Sequence, residues 1–433
     1  MTTALQGALG KVAHRLLPWL FVLYVVAYLD RINVGFAALT MVPQLGLTSE
    51  QYGLLAGIFF LGYFLLEIPS NLIMHRVGAR VWIARILITW GVISLLTGFV
   101  SSAMQLYVAR FLLGAAEAGF FPGIILYLTY WFPQRRQAAA IGKTLTALPT
   151  ASVLGGPLSG WLLDHVHWLG LASWRWLFVI EAIPAIVCGL ATFRLLPSRP
   201  SEARFLHASE RAEIEQMITA ESRTKRGAVP MSTLATLRDP TALWLAACVF
   251  LYQIGLYTLG FWMPLALKGL AHGASNTFIG GLVLIPNLLG LVAMIVVGKR
   301  SDRCGERHLH AAIPLAIAAL ALLLVGHVSS LPIALMLWSA VAIGLCGFTP
   351  PFWALPGGFL TGRSAAAGIA LISSIGSLGG FVGLTTVGWL AARTGSLGGG
   401  FAFVGAALLL SVMLILTLRV RARREVQPAI ARV

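Results

Sequence analysis

The chain alternates long apolar runs with short polar breaks, and the runs set its architecture. A helix needs about 20 mostly apolar residues to cross the ~30 Å hydrocarbon core of a bilayer. Twelve windows qualify: 16–38, 52–74, 81–101, 106–131, 138–163, 175–196, 241–266, 277–298, 310–328, 331–352, 364–391 and 398–418. Open sheets would leave unpaired backbone groups in lipid, so the spans are expected to be α-helices and the fold an all-α membrane protein. One long polar stretch, 197–240, separates the sixth window from the seventh. It opens with Pro197 and Pro200 and contains SERAEIEQMITAES, around which Leu206, Ile214, Met217 and Ile218 can form one apolar side. That pattern suits a strap lying on the membrane surface, and equally a solvated linker with passing helicity.

Composition agrees. Of 433 residues, 58% are hydrophobic and only 11% charged, against about 25% charged in ordinary globular domains. Mean hydropathy is +0.85. A soluble core cannot hide so much apolar surface, so the solvent is lipid. The excess of 31 Lys and Arg over 15 Asp and Glu would suggest nucleic acid in a soluble protein. Here the basic residues cluster at the ends of apolar segments. With both termini inside, 26 of the 31 fall in cytoplasmic segments, three outside (Arg175, Lys268, Arg393) and two within spans (Arg31, Arg110). That asymmetry predicts cytoplasmic termini and no nucleic-acid partner. Lys11 and Arg15 precede the first run, but no small-residue cleavage site follows, so it reads as a span rather than a removed signal.

The halves repeat. Trp19, Gly35 and Phe36 match Trp244, Gly260 and Phe261 at an offset of 225, HRVGAR at 75–80 matches DRCGER at 302–307, Gly119-Phe120 and Pro122 match Gly347-Phe348 and Pro350, and Gly155-Gly156 matches Gly379-Gly380. Four matches in order predict two parallel halves with a site between them, the layout of rocking secondary transporters. The expected division is a six-helix bundle at 1–196, a cytoplasmic linker at 197–240, a second bundle at 241–420 and a basic cytoplasmic tail at 421–433.

GKRSDRCGER at 298–307 resembles the signature loop of the major facilitator superfamily. The resemblance implies that fold and a gating role for Gly298, Asp302, Arg303, Gly305 and Arg307, with Arg76 in the other copy. That copy, NLIMHRVGAR, departs from the pattern: Asn71 stands for the usual Gly and His75 for the usual Asp, which puts its cytoplasmic latch in doubt. GGPLSG at 155–160 is similar to the superfamily's Gly-Pro motif in the fifth span.

Charges inside the spans are the candidate chemistry, because an ionisable group at bilayer depth costs at least ~2.5–3.5 kcal/mol. Asp30-Arg31 follows an apolar run of only 14 residues, Leu16–Leu29, about 21 Å of helix, so both lie within the membrane, as a functional site or a buried structural ion pair. Arg110 and Glu117, seven residues apart, project from one face two turns apart. Their counterparts near Trp338 and Leu345 are apolar, which favours function over scaffold. Glu67, near Asn71 and Arg76, suits a structural pair at the cytoplasmic mouth better than coupling. Tyr28 and Tyr63 face the site or fill the bundle, and Trp353, in isolation, more often packs. Cys188, Cys248, Cys304 and Cys346 fall singly, and His14, His75, His165, His167 and His272 form no cluster, so neither disulfide framework nor metal site is expected.

YLDRINVGFAAL (28–39), LEIPSNLIMHRVGARVWIARILITWG (66–91) and SWRWLFVIEAIPA (173–185) resemble the anion:cation symporter family within that superfamily. This resemblance implies uptake of a small organic carboxylate such as a sugar acid, hydroxy acid or aromatic acid. It implies Arg31 and Arg110 on the carboxylate, Asp30 and Glu117 carrying protons, and Tyr28 and Tyr63 in the pocket, with Trp353, Ser373 and Ser374 as further substrate contacts. Many relatives read Asn-Ser-Ile-Gly-Asn where this chain has Ser373-Ser374-Ile375-Gly376-Ser377; shorter hydroxyls replace amides at Ser373 and Ser377, which gives less polar acids more weight.

The expectation is therefore a monomeric, multi-pass transporter of the inner membrane. The proton serves as coupling ion, with no other cofactor. Its mechanism would run through Glu117, whose protonation frees Arg110 to hold the anion before the carrier rocks. A proton-driven exporter shares the fold and charges. A non-transporting sensor would lack flux, and no soluble signalling domain supports it. No nucleophile–base pair, metal cluster or phosphate loop supports an enzyme.

Overall fold

Proline, glycine and small polar residues decide where the apolar runs break into helices. In the computed structural model, residues 3–226, 240–355 and 363–430 are described, and among them every regular element is helical. The first half comprises α1 (Thr3–Leu45), α2 (Ser49–Val77), α3 (Ala79–Thr97), α4 (Ala103–Glu117), α5 (Phe120–Thr129), α6 (Gln134–Leu145), α7 (Ala147–His165) and α8 (Ser173–Leu195). After α9 (Ala208–Arg226) come α10 (Pro240–Leu270), α11 (Asn276–Cys304), α12 (His308–Val325), α13 (Leu331–Ala354), α14 (Arg363–Thr394) and α15 (Gly398–Ile430).

Among the described residues, eleven helices are long and apolar enough to cross a membrane. The predicted fifth span, 138–163, is not among them because it divides at Thr146 into α6 and α7. Pro149 has no N–H to offer the Leu145 carbonyl, so a continuous helix loses a bond there. Small residues such as Gly155, Gly156 and Ser159 then lower its hydropathy. The fourth window, 106–131, is broken too. Gly119 adopts a left-handed φ of +84° between α4 and α5, and a Cβ there would meet Ser70 Oγ at 2.4 Å. The break leaves Glu117 as the last residue of α4.

The halves meet along two seams, α2 against α14 and α7 against α11, and α1 crosses α10 between them. Backbone approaches backbone at all three contacts. A Cβ on Gly53 would lie 2.5 Å from Leu384 O, one on Gly156 2.8 Å from Gly280 O, and one on Gly35 2.6 Å from Gly260 O. Without an apolar drive between helices in lipid, such small-residue contacts supply the close packing. Gly35 and Gly260 are equivalent positions of the repeat, so the internal symmetry passes close to this crossing. Outward faces carry exposed apolar side chains, among them Leu72, Met104 and Met336, as lipid contact requires.

One end of the bundle carries the start of α1, the end of α15 and much of the charge. There Lys11 Nζ reaches Glu210 Oε1 of α9 at 2.7 Å, and Arg419 Nε stands 3.6 Å from Glu306 Oε1. Leu206 and Ile214 are buried, Trp131 stacks on Phe205 with centroids 6.4 Å apart, and the Tyr127 hydroxyl donates to Pro197 O at 2.7 Å. The linker's apolar side is thus packed onto first-half helices, which decides against a solvated segment. This end is called the basic end below.

Candidate functional site

A cavity of about 160 Å³ lies between the halves. From α1 it takes Tyr24, Tyr28 and Arg31, spaced i, i+4, i+7 on one helix face; from α10 it takes Val249, Gln253 and Leu256, the same positions shifted by 225. Among the described lining residues Arg31 alone is charged; Tyr63, Tyr257, Asn287, Ser373 and Ser377 add hydroxyl and amide groups, and Trp353 an aromatic wall. Tyr28, Tyr63 and Trp353 therefore face the cavity rather than only filling the bundles.

Arg31 Nη2 forms an ion pair with Glu117 Oε1 at the broken end of α4. Its Nη1 donates to the Tyr257 hydroxyl across the halves at 3.5 Å, and its guanidinium lies 5.3 Å from the Tyr63 ring centroid and 5.4 Å from that of Phe59. Glu117 is 1% exposed, whereas the Arg31 side chain keeps 12%. The guanidinium therefore spends one edge on an internal carboxylate while standing open to the cavity.

Asp30, next in sequence, points away, because successive helix residues turn by about 100°. Its Oδ2 accepts from Trp90 Nε1 at 2.7 Å, and its Oδ1 from Ser94 and, at 3.3 Å, from Asn33. Arg110 is fully buried beneath Phe59, 4.9 Å from that ring, and none of its guanidinium nitrogens has a hydrogen-bond partner among the described residues. It does not line the cavity. Two expectations are corrected here. Glu117 holds Arg31, not Arg110, because the break after Glu117 turns its carboxyl toward α1. Asp30 and Arg31 serve different surroundings rather than one site.

Ser373 lines the cavity, but Ser374 turns to the seam and donates to Glu67 Oε2 at 2.5 Å. Glu67 is 2% exposed, and its second oxygen has no partner among the described residues. Its expected pairing with Arg76 is not formed: Arg76 is exposed, and the carboxyl bridges α2 to α14 instead. In the signature loop, Arg307 Nη1 donates to Asp302 Oδ1 at 2.5 Å and to Ser301 Oγ at 3.2 Å. Gly305 takes a left-handed φ of +67°, and Gly298 faces Pro350 closely enough that a Cβ would lie 3.2 Å from it. Arg303 is exposed. In the degenerate first-half copy, Arg80 instead pairs with Glu202 of the linker; the His75 side chain lies outside the described residues.

Four relevant residues escaped the sequence reading. Tyr257 and Gln253 were accessible through the repeat, as the counterparts of Ile32 and Tyr28. Glu181 and Asp164 were not, because nothing in their spacing distinguishes them from packing or loop residues.

Residues 20–383 match the Major Facilitator Superfamily. The chain is 45% identical, over 410 residues, to a protein of Agrobacterium vitis named as a tartrate transporter, covering 95% of this chain and 91% of that one. It is 38% identical to a quinolone resistance transporter of Acinetobacter baumannii, covering 98% and 96%. The xylose transporter XylE of Escherichia coli, solved in a partially occluded inward-open conformation, superposes with a TM-score of 0.72 at 13% identity over 96% of this chain and 98% of that one. The chain belongs to the Major Facilitator Superfamily and is a multi-pass membrane transporter, not an enzyme.

Proposed function

We propose that the protein takes up a small hydroxylated carboxylate across the inner membrane by proton symport, through alternating access of the central cavity. The carrying observation is that the one charged side chain among the described residues lining the cavity, Arg31, is held by the buried acid Glu117. A proton on Glu117 weakens that pair and frees the guanidinium to take the substrate carboxylate, a charge-assisted and geometrically matched contact. Loss of the proton restores the pair and expels the anion. Tyr257 ties Arg31 to the second half, so occupancy of Arg31 is felt across the crossing helices. The hydroxyls and amides around it suit a polyhydroxy acid, as does the relative named for tartrate. The basic segments at the basic end support a cytoplasmic position for that end.

The test is proteoliposomes holding a pH dye, with acids added one at a time from tartrate and sugar acids to aromatic acids. Internal acidification with one of them, absent in Glu117→Gln, supports symport and names the class. Acidification that persists in Glu117→Gln removes Glu117 from coupling. Similarity to the resistance transporter favours a second reading, export. It predicts that expression lowers cellular accumulation of the compound, whereas uptake raises it.

A further inference from the structure

Glu181, in α8, is a buried carboxyl that the transport cycle above leaves unused. It is 6% exposed. Ser159 of α7 donates to its Oε1 at 2.9 Å, while Oε2 is buried with no hydrogen-bond partner among the described residues. No Lys, Arg or His acts on it there; Asp30 is the titratable group that faces it from the helices packed against α8. An acid at this depth without a cation is costly, and a glutamine would fill the same space, so packing alone does not account for it. Asn33 joins the two acids: it donates to Asp30 Oδ1 at 3.3 Å and lies beside Glu181 as well.

The placement is directional. Glu181 lies eight residues from Ser173, at the end of the bundle opposite the basic end, and Asp30 lies fifteen residues from Leu45 at that same end. Glu181 lies beside Asn33, which is three residues nearer that end than Asp30, about 4.5 Å along α1, so Glu181 stands on the outer side of Asp30. Arg110, within electrostatic reach of both Asp30 and Glu117, links Asp30 to the site. All these groups sit on first-half helices, so the line of acids crosses neither seam and persists as the halves rock.

We propose that Glu181 is the outer station of a proton path to Asp30, with Asn33 positioning the two carboxyls. A proton lost by Glu181 is gained by Asp30, and Glu181 regains one from the water at the end opposite the basic end. The proposal rests on the symport reading. It is tested in proteoliposomes with tartrate as the probe, by comparing proton-driven acidification with counterflow exchange, which needs binding and rocking but no net proton movement. Glu181→Gln should keep counterflow within about twofold and slow acidification at least tenfold, with Glu181→Asp restoring part of it. Asn33→Ala, which leaves both acids in place, should show the same split and serves if Glu181→Gln does not fold. Acidification at the wild-type rate in either variant overturns the path, as does parallel loss of counterflow in folded protein. Wild-type protein that exchanges tartrate without acidification overturns the symport reading itself, and the path with it.

Discussion

Asp164 accepts two hydrogen bonds from Thr277 of the opposite half, from its backbone N–H at 2.6 Å and its hydroxyl at 2.7 Å. Asn276 adds its own backbone N–H at 3.1 Å and its amide at 2.8 Å. A carboxylate at the end of α7 thus caps the first turn of α11, where unpaired N–H groups and the helix dipole favour negative charge. Gly160 and Gly156 hold the same seam beneath it. This end of the cavity is closed by bonds that opening must break.

Asp164→Ala should therefore favour the state open at that end. Loss of a helix cap costs about 0.5–2 kcal/mol, a population shift of roughly 2- to 30-fold. A cysteine placed at cavity-lining Met263, with the native cysteines replaced, should react faster with an impermeant thiol reagent applied from that side. Equal labelling rates would show that the cap does not hold the gate.

The Glu67–Ser374 bond closes the other seam on the basic-end side of the cavity. A hydrogen bond to a charged group is worth about 1.5–3 kcal/mol. Ser374→Ala should speed opening toward the basic end, read as faster counterflow, while Ser374→Thr keeps the donor and the wild-type rate. A slower or unchanged rate in Ser374→Ala would remove this bond from the gate.

Arg31 and Arg110 should separate in binding. Arg31→Gln should weaken substrate affinity at least about tenfold, the loss of one charged hydrogen bond. Arg110→Gln, whose side chain does not line the cavity, should change affinity less and transport rate more. Titration calorimetry on purified protein decides it; equal losses of affinity would mean that Arg110 enters the site in another state.

Close helix approach predicts a contrast among glycines. A Cβ on Gly114 would fall 1.9 Å from Phe59 O, forcing α4, with Arg110 and Glu117, away from α2. Overpacking of this kind costs about 1–3 kcal/mol or more, so Gly114→Ala should lower thermal stability in detergent. Gly281, with nothing within 4 Å, should accept Ala without change.

Glu306, in the loop between α11 and α12, offers a pH test. Burial pushes its carboxyl up, but the N–H groups of Leu309 and His310 and the His310 ring outweigh it and hold it below its ordinary value of 4.5. A lowered carboxyl contributes stability fully above that ordinary value and loses it as pH falls through the lower folded value. Glu306→Gln should lag the wild type in thermal unfolding at neutral pH and approach it in acid. A gap that stays constant with pH would assign the loss to packing instead.

Much of this was legible in the chain. Apolar runs located the spans, since length and hydropathy are local properties, and Gly35 with Gly260 marked a repeat whose equivalent glycines touch. Asp30, Arg31, Arg110 and Glu117 stood out because charge in lipid is costly wherever the helix turns. The broken fourth and fifth windows were less legible, because Gly119 and Pro149 are tolerated in many continuous spans.

By itself, then, the sequence determined the class, the repeat and which charges matter, because those depend on composition, spacing and the cost of burial along one chain. Only the tertiary structure decided who meets whom. Glu117 takes Arg31, Glu67 takes Ser374 from 307 residues away, and Asp164 caps a helix of the other half. Those partnerships arise from helix rotation and cross-half packing, which shift a carboxyl by several ångströms without changing any periodicity that the sequence displays.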